Sequence, residues 1–131
     1  MVSIAQISDT HLLCPVKVGE TGIVKQRIVN LESCVDSINN LDPQPDIVIH
    51  TGDVTQNGTV EEYTIADSIL KKLKQSIFFT PGNRDNKPNL RKIFTQSLSE
   101  KFDKEFYIYS IELKGFKLIS MDTFCSNSNK C

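Results

Sequence analysis

The chain predicts an α/β fold, a mostly parallel sheet with covering helices and a C-terminal antiparallel hairpin. Three observations carry this reading. Short, mostly apolar runs stand at Val2–Ser8, Asp46–His50 and Ser76–Thr80. Apolar residues recur at helical spacing between them, and the period switches to strand-like alternation after Phe106. A length of 131 residues suits one domain, residues 1–131.

In chain order, Val2–Ser8 reads as the first strand and leads into Asp9-Thr10-His11. A loop punctuated by proline and glycine runs from Cys14 to Gly22. Gln26–Leu41 reads as a helix, because Ile28, Leu31, Val35 and Ile38 return to one face; Asp42-Pro43-Gln44-Pro45 breaks it. Asp46–His50 lacks polar alternation, which suits a strand covered on both faces. Thr59 and Glu62 form a T-x-x-E capping box at the start of a second helix. Its buried stripe is Tyr63, Ala66, Leu70 and Leu73, and Lys71, Lys72 and Lys74 sit near its C-terminus, where cations suit the dipole. Ser76–Thr80 is the third strand, stopped by Pro81-Gly82. Pro88 suits the first residue of a third helix carrying Leu90, Ile93 and Phe94. Phe106–Leu113 alternates like a strand, Lys114-Gly115 is a tight turn, and Phe116–Met121 returns antiparallel. Thr123–Cys131 is polar and reads as a loop.

Composition excludes some partners. Hydrophobic residues make up 39% and charged residues 24%, with a net charge of −1, which fits a soluble globular protein. A nucleic-acid or anionic-membrane binder needs a basic face, which this balance does not supply. No apolar stretch approaches the roughly 20 residues that span a bilayer, and no basic-then-apolar leader stands at Met1, so a cytoplasmic location is expected. Cys14, Cys34, Cys125 and Cys131 show no C-x-x-C spacing and read as scattered reduced thiols, with Cys131 exposed and oxidisable.

Three polar clusters follow the three parallel strands: Asp9-x-His11, Gly52-Asp53 and Gly82-Asn83-Arg84-Asp85. Parallel α/β sheets bring the C-terminal ends of their strands to one edge, so Asp9, His11, Asp53 and Asn83 are expected to converge there. Two carboxylates, an imidazole and an amide oxygen suit manganese, iron or zinc better than metals that prefer thiolates. Taken singly, each cluster is also an ordinary turn. Their joint position, one after each strand, is what points to a metal site. Asp53 follows the central strand and is the candidate to bridge two cations; such a pair, about 3.5–4 Å apart, clamps a phosphate and activates a water. Gly52 and Gly82 let the backbone turn sharply and approach a ligand without a Cβ. No G-x-G-x-x-G or G-x-x-x-x-G-K-[ST] loop follows the first strand, which disfavours a nucleotide-binding domain without hydrolysis.

The order D-x-H, G-D, G-N-x-D resembles the calcineurin-like metallophosphoesterase superfamily, and within it the bacterial class III cyclic-nucleotide (cyclic AMP) phosphodiesterases. The likeness is carried by His50-Thr51-Gly52-Asp53-Val54-Thr55, Gly58, Glu62-Tyr63 and Thr80-Pro81-Gly82-Asn83, and it covers nearly the whole chain as the family's N-terminal half. The resemblance implies the N-terminal part of an αββα sandwich. It implies hydrolysis of a cyclic nucleotide or related small phosphoester by a metal-activated water, with two divalent ions (manganese, iron or zinc). In that family Asp9 and His11 would hold the first metal, Asp53 would bridge both, and Asn83 would hold the second and touch the phosphate.

Two departures alter the expectation. Arg84 stands where the family usually has a histidine. A guanidinium stays protonated, so it serves as a phosphate contact and not as a general acid; the plainer reading is a solvated loop arginine. The family's later histidines, one alone and then a G-H-x-H pair, are absent, because the chain has only His11 and His50. His50 reads as a packed core residue inside an apolar strand. The first metal then has Asp9, His11 and Asp53, and the second only Asp53 and Asn83, so one weakly held ion is expected. Asp85 and Asp122 are candidates to orient ligands or Arg84 from behind, or are plain turn and strand-end aspartates. Two functional readings follow: a metal-dependent phosphodiesterase, or a catalytically impaired fragment or subunit without the C-terminal histidines. Absent strands would leave Phe106, Ile108 and Phe116 facing solvent, which favours a homo-oligomer through exposed strands.

Overall fold

The structure, a computed structural model, describes residues 1–15, 21–94 and 106–123. Cys125, Cys131, most of the expected tail and part of the Cys14–Gly22 loop lie outside them. The elements are β1 (Ile4–Ile7), α1 (Thr21–Asn39), β2 (Ile47–His50), α2 (Val60–Leu70), β3 (Ile77–Phe79), α3 (Lys87–Ile93), β4 (Tyr109–Leu113) and β5 (Phe116–Ser120). Strands β1, β2 and β3 form a parallel sheet in that order, and β4 pairs antiparallel with β5. This is the α/β architecture with a parallel sheet and a late hairpin that the sequence predicts.

The register sets Ile7 beside His50 and His50 beside Phe79. Side chains alternate across a strand, so Ala5, Ile7, Val48, His50, Ile77 and Phe79 share one face. That face merges into the core with Leu31, Val35 and Ile38 of α1, Tyr63, Ala66, Ile69 and Leu70 of α2, and Leu90 of α3. The opposite face carries Ile4, Gln6, Ile47, Ile49 and Phe78, and only Ile47 of these is buried.

Helix α1 starts at Thr21, five residues before Gln26. Gly22, Ile23 and Val24 are weak helix formers, but Val24 is 4% exposed and extends the buried stripe of Leu31, Val35 and Ile38. Burial of that side chain outweighs local preference. Helix α2 ends at Leu70 with Lys71 as its C-cap, so no basic residue lies in its last turn and Lys72 and Lys74 follow the helix. Leu73 still packs on the core from the turn beyond. Thr59 and Glu62 complete the capping box from both sides. In α3 the N-cap is Asn86, and Pro88 takes the second position, where a missing N–H costs nothing.

The hairpin turns at Lys114 (φ 47°) and Gly115 (φ 82°), two left-handed residues as in a type I′ turn. One end is tied to β3: the Tyr109 hydroxyl donates to the Phe79 carbonyl (2.6 Å), and the Thr80 and Ser120 hydroxyls share a hydrogen bond of 2.7 Å. The other end is tied to the sheet by an ion pair between Lys114 and Asp46. Among the described residues no helix is long and apolar enough to cross a membrane.

Candidate metal centre

Backbone pairing between β1 and β2 continues past both strands. The Thr51 amide donates to the Ile7 carbonyl (3.0 Å), Asp9 to Gly52 (3.0 Å), His11 to Asp53 (2.9 Å) and Leu12 to Val54 (3.0 Å). The two following loops are therefore laced together, and their side chains meet. Asp9, His11 and Asp53 offer ligand atoms that all lie within 4.8 Å of one another. His11 Nε2 is 3.6 Å from Asp9 Oδ1 and 3.8 Å from Asp53 Oδ2. Those gaps exceed hydrogen-bond length. They are close to the edges of a polyhedron whose ligands stand about 2.0–2.2 Å from a central cation. His11 Nδ1 is buried and has no hydrogen-bond partner among the described residues, so Nε2 is the nitrogen turned to the carboxylates. Two carboxylates and an imidazole at this spacing fit a divalent cation.

All three residues hold left-handed backbones: Asp9 at φ 54°, His11 at φ 44° and Asp53 at φ 53°. Such conformations cost non-glycine residues energy and concentrate at functional sites.

The loop after β3 completes the setting of Asp53. The Arg84 amide donates to Asp53 Oδ1 (2.8 Å), while Oδ2 faces His11. Gly52 (φ 112°) and Gly82 touch backbone to backbone: a Cβ on Gly52 would stand 2.7 Å from the Gly82 nitrogen, and a Cβ on Gly82 would collide with the Asp53 carboxylate. The close approach the glycines were expected to permit is thus between two loops. Asn83 lies between Gly82 and Arg84, whose backbones both touch Asp53, and the Asn83 and Arg84 side chains are exposed.

Asp85 sits behind this loop, 7% exposed. Its carboxylate accepts from the amides of Val54 (3.2 Å), Thr55 (3.3 Å) and Gly82 (3.0 Å) and from the Tyr63 hydroxyl (2.9 Å). The Tyr63 oxygen in turn accepts from the Asn86 amide (2.9 Å). One buried carboxylate thus joins the loop after β2, the loop after β3 and α2. Burial pushes its pKa up, against the pull of the amide and hydroxyl donors. Burial, then the charge of Asp85, likewise raises the Tyr63 phenol. Asp122 is placed elsewhere: it accepts from the Tyr107 amide (2.9 Å) and pairs with Lys87 (2.6 Å), joining the hairpin to α3.

Three groups escaped the sequence reading as parts of the site. Arg27 of α1 donates to the His11 carbonyl (2.6 Å) and reaches Gln56 (3.3 Å), gripping both loops from the helix. Tyr63 looked like one more core residue in a helical stripe. His50 is fully buried and stacked on Phe79, with ring centroids 5.9 Å apart, yet both ring nitrogens have polar partners. Burial pulls its pKa down to about 4, a shift the charge of Asp9 partly opposes, so the ring is neutral near pH 7. No local pattern marks Arg27, and Tyr63, though it stands in a stretch that carries the family likeness, gives no local sign of its partners, because these are distant in sequence; the histidine inside an apolar run was a visible oddity.

The calcineurin-like phosphoesterase family profile matches residues 2–129. The chain belongs to this family. Calcineurin-like phosphoesterases are metal-dependent, in keeping with the donor set at Asp9, His11 and Asp53. Among relatives, a probable glycerophosphodiester phosphodiesterase (GpdQ) of Arcobacter nitrofigilis is 40% identical over 93 residues, covering 71% of this chain and 33% of that protein. A probable cyclic nucleotide phosphodiesterase of Vesicomyosocius okutanii is 28% identical over 100 residues, covering 76% of this chain and 40% of that protein. A 3',5'-cyclic-nucleotide phosphodiesterase of Nostoc is 32% identical over 84 residues, covering 64% of this chain and 31% of that protein. The chain thus spans about a third of the length of the curated relatives it matches.

Proposed function

We propose that this chain carries the N-terminal metal ligands of a phosphodiesterase acting on small phosphodiesters such as cyclic nucleotides. The observation behind this reading is the cluster of Asp9, His11 and Asp53 within 4.8 Å at the C-terminal edge of the parallel sheet. Family membership and the names of the relatives point the same way.

Asp9, His11 and Asp53 would hold one cation. Asp53 and the exposed amide of Asn83 would serve a second, held more weakly because the described residues give it two side chains. Such ions, when bound, neutralise phosphoryl oxygens and lower the pKa of water. Arg84 brings a forked, permanently charged donor beside Asn83, suited to a non-bridging phosphoryl oxygen and unsuited to protonating a leaving group. Asp85 holds the loops behind Asp53 and Asn83 in register.

Elemental analysis of purified protein tests the site. The wild type should hold about one manganese per chain and Asp53→Asn almost none; equal contents would sink the reading. A second reading has its own support. The chain has two histidines, and His50 is buried in internal bonds, which leaves His11 as its one available imidazole. On that reading the chain binds metal without turnover. Hydrolysis of bis(p-nitrophenyl) phosphate by the manganese-loaded wild type decides between the two: Asp53-dependent turnover supports the first, metal uptake without turnover the second.

A further inference from the structure

We propose that His50 is a positioning residue for the metal centre, spacing the loop that carries Asp9 and His11 from the loop that carries Asp53. The inference rests on reading that cluster as a metal site.

His50 ends β2, where the three preceding residues are isoleucine, valine and isoleucine. Packing alone asks only for another apolar side chain there. The imidazole instead makes two polar contacts whose directions are determined. The Gly52 amide can only donate, so His50 Nδ1, 3.3 Å away, must accept. The ring proton of the neutral imidazole is then on Nε2, which donates to Thr10 Oγ1 (3.1 Å). The Thr10 hydroxyl hydrogen is left free for the Val54 carbonyl (2.8 Å).

The result is one relay with a single sense, from the Gly52 N–H through His50 and Thr10 to the Val54 carbonyl. Its two ends flank Asp53. Its middle, Thr10, stands between Asp9 and His11. The relay therefore spans the gap across which the three ligand atoms must meet a common ion. Metal sites tolerate errors of only about 0.2 Å in ligand distance, and groups that orient ligands from behind typically change metal affinity 10–100-fold when removed. His50 acts one bond further back, so the low end of that range is expected.

The test uses the full chain with Thr10→Val, His50→Leu and the double variant. Manganese affinity is measured by titration calorimetry, the visible spectrum is taken with cobalt as the probe ion, and melting is followed without metal. Each single change should weaken manganese binding about tenfold and alter the cobalt bands. The double variant should be no weaker than the poorer single, because both cut one relay. Single variants that bind manganese like the wild type with an unchanged cobalt spectrum would overturn the proposal, even if they melt lower, since that pattern belongs to packing. Additive losses would overturn it as well. If His50→Leu does not fold, Thr10→Val decides alone, because it keeps the side-chain shape and removes only the hydroxyl. A wild type that takes up no manganese removes the metal site itself and the role of His50 with it. Wild-type uptake with indifferent variants removes only the role of His50.

Discussion

A metal-binding role for Asp53 would set function against stability at a single position. Its backbone is left-handed, and its carboxylate shares a small space with that of Asp9 across His11. Asparagine tolerates the same backbone, can still accept from the Arg84 amide and removes a negative charge. Without metal, Asp53→Asn should melt a few degrees above the wild type, a gain of about 0.5–1 kcal/mol. With manganese the order should reverse; paired melts with and without the ion check both halves. His50 gives a pH dependence. The unfolded chain protonates this imidazole near its ordinary value of about 6.5, while the folded chain resists until about pH 4. The contribution is therefore complete above about pH 6.5 and is lost as the pH falls toward 4, by on the order of 3 kcal/mol. Urea unfolding at pH 7.5 and 4.5 should show this loss in the wild type and not in His50→Leu; an equal slope in both would assign it to another group. The candidate ligands were legible because D-x-H, G-D and G-N are local patterns directly after strands. Asp85 was named as an acceptor behind the site, but its partners, like the polar contacts of His50, were not legible, because those donors and acceptors come together only once separate loops close on one another.

Among the elements, the joints between loops constrain the chain more tightly than the strands do. Gly52 and Gly82 meet backbone to backbone beneath Asp53. Gly82→Ala must displace both the carboxylate and the backbone nitrogen of Asp53, so it should cost about 3 kcal/mol of stability or more and weaken manganese binding, as urea unfolding and metal titration would show. Unchanged metal affinity would mean that the loop after β3 does not help to set Asp53. The positions of the three parallel strands along the chain and the capping box of α2 were readable because each depends on a few adjacent residues. The start of α1 was not, since Gly22, Ile23 and Val24 favour other conformations and are drawn into the helix by burial of Val24. Nor was the end of α2. Leu73 continues the helical spacing of Tyr63, Ala66 and Leu70, yet reaches the core from the turn after the helix.

For the molecule as a whole, the open surfaces matter most. Phe116 is 63% exposed, and Ile108, Ile119 and Met121 of the hairpin region are exposed too. Phe116 also lines an apolar groove with Met1, Val2, Ile4, Leu113 and Leu118. Surfaces of this kind favour association. Sedimentation velocity should show concentration-dependent self-association that Phe116→Lys reduces; a wild type that stays monomeric at high concentration would refute this.

Among the described residues β1 lies at the margin of the sheet. A cation shared by Asp9, His11 and Asp53 would rivet that marginal strand to its neighbour, since two of the three ligands follow β1 and the third follows β2. Chelation would then do more than silence the site. It would let β1 peel away more often, with Ile4 already turned outward, and offer unpaired backbone to other chains. Metal starvation would become a route to aggregation, and the ion a guard on the sheet's open edge.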